Sequence, residues 1–365
     1  TACRSSEGMT MNGMQWMFET MDAWRRRQGN AFDLAGLGPR EVDCQIDLDM
    51  PALRLRCYGG PEARAVLAVP APIKRHYIWD LLPDCSAVRR LLDAGYRVYL
   101  IEWKDPQGEM AEAGLQQYGS DWIDACVQRI RQDCPQTPLV LISHSLGGIF
   151  ATIYASLHPE QVRALVLLEV PLHFGKASGA FLPLLLAAPP TPLLLRDMTR
   201  VPGSLLSMVS AMASPRTFHG ERAADFAASL ASPADLQRHM LVERWALDEA
   251  PMANLLFEQI VEDLYRNDKL MRGTLEISGT TIGPAQMRVP LFAVHDPASD
   301  IIPSESVTTY VDAAASDDKA LATVESERGT GLSHVAALVG PRAHALLWPR
   351  ILSWLRNLPE RRTGA

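Results

Sequence analysis

The chain has 365 residues, 47% of them hydrophobic, and a formal net charge of −7. That length and apolar content suit one large α/β domain with an insertion, or two small domains. The negative balance argues against a dedicated nucleic-acid binder. The six cysteines, Cys3, Cys44, Cys57, Cys85, Cys126 and Cys134, are scattered with no C-x-x-C. They read as free thiols in a reducing, cytoplasmic compartment, with no zinc or other metal site. No signal peptide is visible. The most apolar stretch, residues 181–195, is too short for a transmembrane span and contains Pro183, Pro189, Pro190 and Pro192.

Residues 9–27 carry Met9, Met14, Trp16, Met17, Phe18, Met21 and Trp24 near helical spacing. This predicts a helix packed on the core or, as the sharper alternative, a Met-rich docking surface for a partner helix or an apolar phase. Residues 42–58 alternate enough for one or two antiparallel strands. A buried strand follows at 65–69, then a helix near 86–94, a strand at 98–101 and a helix at 121–132. The apolar run 138–142 is the next strand, 149–157 a helix and 162–168 another strand. Strands alternating with helices predict a mostly parallel sheet with helices on both faces. Alternation stops near Pro171 and resumes near Val289. The Leu/Met/Ala/Pro-rich interval, with helical patches at 224–230 and 254–265, predicts an inserted helical cap over the sheet's carboxyl edge. Within it, 181–195 is a candidate lid or a fixed part of the cap core. A strand at 289–294, a helix at 305–315, a short strand at 322–325 and a closing helix at 342–358 complete the chain. The expected segments are therefore 1–40 (N-terminal helical), 41–170 (first part of the core), 171–286 (cap) and 287–365 (second part of the core).

The pattern centres on Ser143-His-Ser-Leu-Gly-Gly148, between the 138–142 strand and the helix after it. A serine at the apex of a tight strand-to-helix turn, with glycines entering the helix, is a nucleophile elbow. Gly147 and Gly148 let the helix approach the sheet, while Ser143 replaces the usual first glycine. Ser145 needs a base, and the base an orienting acid. His334, in a loop after the last strand, fits the order Ser, acid, His. His144 should point away from so tight a turn, His158 and His173 suit a helix end and a loop, and His76 breaks the chain order. The acid is expected after the 289–294 strand, where Asp296 and Asp300 stand. Asp300, further into the loop, is preferred, although either suits a turn. The oxyanion donors expected are the backbone N–H of Leu146 and, because Pro70 and Pro72 have none, that of Ala71 or Ile73, with Ile73 preferred.

Residues 69–81 (VPAPIKRHYIWDL), 86–91 (SAVRRL) and 95–103 (GYRVYLIEW) resemble the core of polyhydroxyalkanoate synthases. Residues 245–251 (WALDEAP) and 265–275 (YRNDKLMRGTL) resemble that family's junction of cap and sheet, and the size is nearest the class III catalytic subunit. The similarity runs from about Ala65 to Gly340. It implies an α/β-hydrolase fold and polymerisation of 3-hydroxyacyl-CoA through a cysteine thioester in a Cys-His-Asp triad. Carried over, the nucleophile falls on Ser145, the base on His334 and the oxyanion loop around Ile73. The family's acid stands four residues before a proline, a position held here by Ser299, with Asp300 one residue later. Serine in place of cysteine favours hydrolysis over chain growth, because an oxygen ester is less activated than a thioester. Three readings follow: a serine acyl hydrolase (esterase, thioesterase or polyester depolymerase), a synthase or acyltransferase, and a non-catalytic granule-associated homologue. The resemblance implies a hydroxyacyl ester or CoA thioester as substrate and no cofactor. A polyester granule surface, a second synthase-type subunit or another copy of the chain are the partners it suggests. Lys74, Arg75, Arg89 and Arg90 are candidates for CoA phosphates, or ordinary helix and loop charges.

Overall fold

The computed structural model of the protein describes residues 13–60, 64–135, 139–325, 327 and 330–359. Cys3, Met9, Pro138 and Gly329 lie outside them. The central sheet has eight strands: β1 (Gln45–Asp49), β2 (Leu53–Tyr58), β3 (Arg64–Val69), β4 (Tyr96–Trp103), β5 (Leu139–His144), β6 (Val162–Leu168), β7 (Leu291–His295) and β8 (Lys319–Thr323). Their spatial order is β1-β2-β4-β3-β5-β6-β7-β8. The β1–β2 and β2–β4 pairs are antiparallel, and every pair from β4 to β8 is parallel.

The inner strands β3 to β7 are near-continuous apolar runs because both faces are covered. Side chains alternate between two cores with period two. Leu67 and Val69 of β3 and Leu139 and Leu141 of β5 join helices α3 (Trp122–Asp133), α4 (Leu146–Leu157) and α11 (Ser304–Ala313). Val66, Ala68, Val140 and Ile142 face α2 (Ala87–Asp93), α12 (Ala336–Val339) and α13 (Trp348–Asn357). The predicted strands and helices of the core are found within a few residues of their expected bounds. In the closing helix, Pro349 cannot donate to the i−4 ladder, and the turn before it, Ala343–Leu347, widens to π-helix.

Between β6 and β7 the chain adds α5 (Phe181–Ala187), α6 (Thr191–Leu195), α7 (Gly203–Ala213), α8 (Arg222–Ser229), α9 (Pro233–Leu247) and α10 (Asn254–Gln259). A small hairpin, Leu275–Ile277 with Thr280–Ile282, also lies here and was not anticipated. Helix α1 (Gly13–Leu34) packs on α7 and α9. The expectation that its apolar stripe faces the core needs correction. Among the described members only Phe18 is buried, while Met14, Trp16, Met17, Met21 and Trp24 are exposed. The packing is polar instead. Asp22 accepts from the N–H groups of Gly203 and Ser204, capping the otherwise unsatisfied start of α7. Gln15 bonds Thr199. No described helix is long and apolar enough to cross a membrane.

Candidate active site

At the carboxyl end of β5 the backbone turns sharply. Ser145 has φ +54° and ψ −138°, a conformation that costs a non-glycine residue on the order of 1–3 kcal/mol. Its N–H is anchored on Leu168 O at 3.1 Å. Gly147 allows α4 to lie against the loop after β3: a Cβ there would sit 2.5 Å from the Pro70 carbonyl carbon. Gly148 is pressed on Val170 in the same way. Ser143, in place of glycine, is accommodated because its hydroxyl donates to Val166 O on β6 at 3.4 Å.

Ser145, Leu146, Ile73 and His334 line one cavity of about 150 Å³. Its remaining walls are mostly apolar cap side chains, among them Phe181, Leu185, Phe218, Phe257 and Tyr265. Leu146 opens α4, so its N–H lacks an intrahelical acceptor. Ile73 lies in the turn after β3, a loop tied down by the bond from Trp103 Nε1 to Pro70 O. A second cavity, of about 290 Å³, meets the first at Ile73, Leu206, Ser210, Phe218 and His334, and extends toward Lys74 and His219.

His334 sits in the short turn Ser333–Val335. Burial pushes its pKa down to about 4, against the opposing pull of Asp296. The loop is braced from several sides. His144 Nε2–H donates to the His334 carbonyl at 2.8 Å, and the two rings lie 4.6 Å apart. His144 therefore points away from the cavity, as expected of the residue beside the elbow. Asp225 accepts from Gly331 N–H, and the Ser333 hydroxyl reaches Glu221, 3.4 Å away.

The structure does not place Asp300 against His334. Its side chain is 42% exposed and pairs with Arg216 Nε at 2.6 Å. The loop turns outward there because the Ser299 hydroxyl accepts from Ile302 N–H, and Asp296 Oδ1 from Ala298 N–H. Asp296 is buried, and its charge is felt by both His334 and Glu169. The carboxylate beside His334 belongs to Glu169, a residue that sequence reasoning missed. Its Oε1 lies 3.7 Å from His334 Nδ1. Burial, then Asp296, pushes its pKa well above the usual carboxylate range. The signal available was a lone charge after the all-apolar strand 164–168, at the same sheet edge as Ser145.

The other expected groups have partners elsewhere. His76 meets Glu41, His173 meets Asp268, and His158 lies 3.8 Å from Glu160. Lys74 donates to Glu249 at 2.7 Å and Arg75 pairs with Asp105 at 2.8 Å. Arg90 donates to His344, and Arg89 lies 3.9 Å from Asp80. His144, Glu169 and His334 each offer a ligand atom within 4.8 Å of the others. His144 gives Nε2–H to the His334 carbonyl, while both Glu169 oxygens and His334 Nδ1 are buried without a hydrogen-bond partner.

A family profile described as the alpha/beta hydrolase fold matches residues 58–195. The poly(3-hydroxyalkanoate) polymerase subunit PhaC of Haloarcula marismortui is 29% identical over 82% of this chain and 62% of its own length. That of Allochromatium vinosum is 26% identical over 82% of this chain and 83% of its own. The chain spans about 60% of the length of the haloarchaeal relatives it matches. Among solved structures, the monoacylglycerol lipase of Paleococcus ferrophilus is similar with a TM-score of 0.53, at 15% identity over 84% of this chain and 99% of that one. The monoglyceride lipase of Saccharomyces cerevisiae gives 0.52, at 14% identity over 87% and 95%. At such identities these two show the shared fold.

Proposed function

Starting from a chain that is related to poly(3-hydroxyalkanoate) polymerase subunits and has the α/β-hydrolase fold, we propose a serine acyl hydrolase acting on hydroxyacyl esters or thioesters. One observation carries the reading: a backbone-strained serine and a half-buried histidine line the same apolar cavity. Ser145 Oγ attacks the acyl carbonyl carbon while His334 takes its proton. The N–H groups of Leu146 and Ile73 receive the oxyanion. Collapse breaks the bond to the leaving alkoxide or thiolate, which takes the proton from His334. Water, deprotonated by the same imidazole, then releases the acid and regenerates Ser145. The apolar walls suit an acyl chain, and the second cavity, meeting the first at His334, suits the leaving group.

The relatives supply a second reading. They are polymerases over four-fifths of this chain, and an acyl-serine that meets a hydroxyl instead of water is an acyltransferase. Serine favours hydrolysis, because an oxygen ester is a poorer acyl donor than a thioester. A CoA thioester would be a substrate, not a resident cofactor. The cations first considered for its phosphates are engaged within the protein, which weakens that part of the reading. A polyester surface, a further copy or a second subunit remain partners to test, in a reducing, cytoplasmic setting that suits the five described free thiols.

The experiment is to incubate the purified chain with 3-hydroxybutyryl-CoA and, separately, with a polyester film. Free hydroxy acid supports the hydrolase; CoA release with growing polymer supports the acyltransferase. A fluorophosphonate should label Ser145, and Ser145→Ala should lose labelling and turnover together. Turnover that survives in Ser145→Ala would end the mechanism, and no labelling or turnover in the unmodified chain would favour the non-catalytic homologue.

A further inference from the structure

Glu169 follows β6 directly, with φ +48°, a left-handed conformation unusual for glutamate. Its side chain is 1% exposed, yet neither carboxylate oxygen has a hydrogen-bond partner. The facing atom, His334 Nδ1, is likewise buried without one. Buried polar atoms almost always find partners, and leaving one unmet costs about 1–3 kcal/mol, more when charged. Here two unmet groups of complementary chemistry confront each other across 3.7 Å, next to the nucleophile. A carboxylate with no structural bond, held by strained backbone against an imidazole, is what orienting a base requires.

We propose that Glu169, at the end of β6, is the positioning residue that orients His334 through Nδ1, in place of an aspartate from the loop after β7. This rests on the reading of Ser145 and His334 as nucleophile and base. With Nδ1 turned to Glu169, Nε2 is the nitrogen presented to Ser145. Such bonds are often long in a resting enzyme and tighten in the complex. As Ser145 loses its proton to Nε2, the Nδ1–H donates to the Glu169 carboxylate, which stabilises the imidazolium. When Nε2 hands the proton to the leaving group, Glu169 returns to its starting state. Buried Asp296 adds negative charge to the same cluster, while its Oδ1 stays with the Ala298 N–H. His144 holds the His334 main chain from the other side.

The test compares Glu169→Gln, Glu169→Asp, Asp296→Asn and Asp300→Asn in the full chain. It reads fluorophosphonate labelling rate, kcat and KM on a p-nitrophenyl ester, thermal melting, and the low-field imidazole N–H resonance. Glu169→Gln should melt at or above the unmodified temperature, since an unmet buried carboxyl is removed. Its labelling rate and kcat should fall about a hundred- to ten-thousandfold with KM little changed, as when the acid of a serine triad becomes an amide. The low-field resonance should disappear, and Glu169→Asp should recover part of the rate. Labelling by Glu169→Gln at the unmodified rate, with the loss in Asp296→Asn or Asp300→Asn instead, overturns the proposal. So does labelling that is lost to a chelator and restored by zinc, which would make Glu169 a metal ligand. If the unmodified chain never labels, the Ser145–His334 reading falls by itself. The resonance then decides separately, and its survival in Glu169→Gln overturns the role of Glu169.

Discussion

Gly147→Ala is the sharpest probe of how the elbow is fitted to the oxyanion loop. The new Cβ would stand 2.5 Å from both the carbon and the oxygen of the Pro70 carbonyl, and nearer still to Val69 O. Ordinary contact begins at 3.4 Å, so backbone must withdraw by roughly 0.9 Å or more. The Pro70 carbonyl also holds Trp103 Nε1, at 2.8 Å, so the loop cannot move without straining that bond. Overpacking of this kind costs about 1–3 kcal/mol of stability. The displaced segment leads straight to Ile73, and a misplacement near 1 Å in an active site can cost about a hundredfold in rate. The expected result is a folded protein, less stable by about 2 kcal/mol in urea denaturation, whose kcat on a p-nitrophenyl ester falls about a hundredfold with KM nearly constant. Gly148→Ala is the control, because the atoms nearest its Cβ belong to the Val170 side chain instead of the oxyanion loop, and adding Val170→Gly removes all three of them. A Gly147→Ala enzyme with unchanged kcat would refute the link between the Gly147 contact and the oxyanion site.

Two further outcomes concern stability. Glu249 is 1% exposed and receives Lys74 at 2.7 Å, Arg25 at 2.9 Å and the Ser207 hydroxyl at 2.8 Å, so it joins α1, α7 and the turn after β3. Removing it leaves the buried Lys74 ammonium uncompensated, and Glu249→Ala should lose about 3–5 kcal/mol in urea unfolding, against a smaller loss for Glu249→Leu combined with Lys74→Met. His344 accepts from Arg90 at Nδ1 and donates from Nε2 to Leu338 O, which fixes it neutral, and its pKa is pushed down to about 4, first by burial. Between about pH 6.5 and 4 the unfolded chain therefore binds the proton that the fold refuses, so stability contributed by this group is present above 6.5 and lost as pH falls toward 4. Replacing it by glutamine should flatten the stability–pH curve in that window by up to about 1.4 kcal/mol per pH unit, read from urea midpoints; an unchanged slope would sink the assignment.

The core was legible because its signals are local. Runs such as 65–69 and 164–168 are apolar at every position, a pattern that a sheet covered on both faces explains. The elbow was legible for the same reason, as strand, apex and helix are contiguous. The hairpin at 275–282 was also within reach: Ser278-Gly279, both at positive φ, is a two-residue hairpin turn. The face of α1 was not legible. Its periodicity is real, but Asp22 and Gln15 are selected by backbone groups of a cap some 180 residues away, and no pattern within the helix encodes that. Asp300 was chosen on loop position alone. A loop of eight residues can send a carboxylate inward or outward, and hydrogen bonds at Asp296 and Ser299 decide the direction.

A serine at the elbow, where the resemblance implies a cysteine, ties these observations together. A cysteine of lowered pKa supplies its own anion near neutral pH, whereas a serine nucleophile depends wholly on its base. Selection for serine chemistry should therefore show in the placement of the histidine more than in the elbow. His334 meets that expectation. His144 grips its carbonyl, Glu221 and Asp225 from the cap hold the residues just before it, and Glu169 faces its ring from the end of a central strand. Two of these contacts come from the cap, which thereby helps to fix the His334 loop. Glu169 follows a strand end directly, whereas Asp300 is tied to Arg216 of the cap.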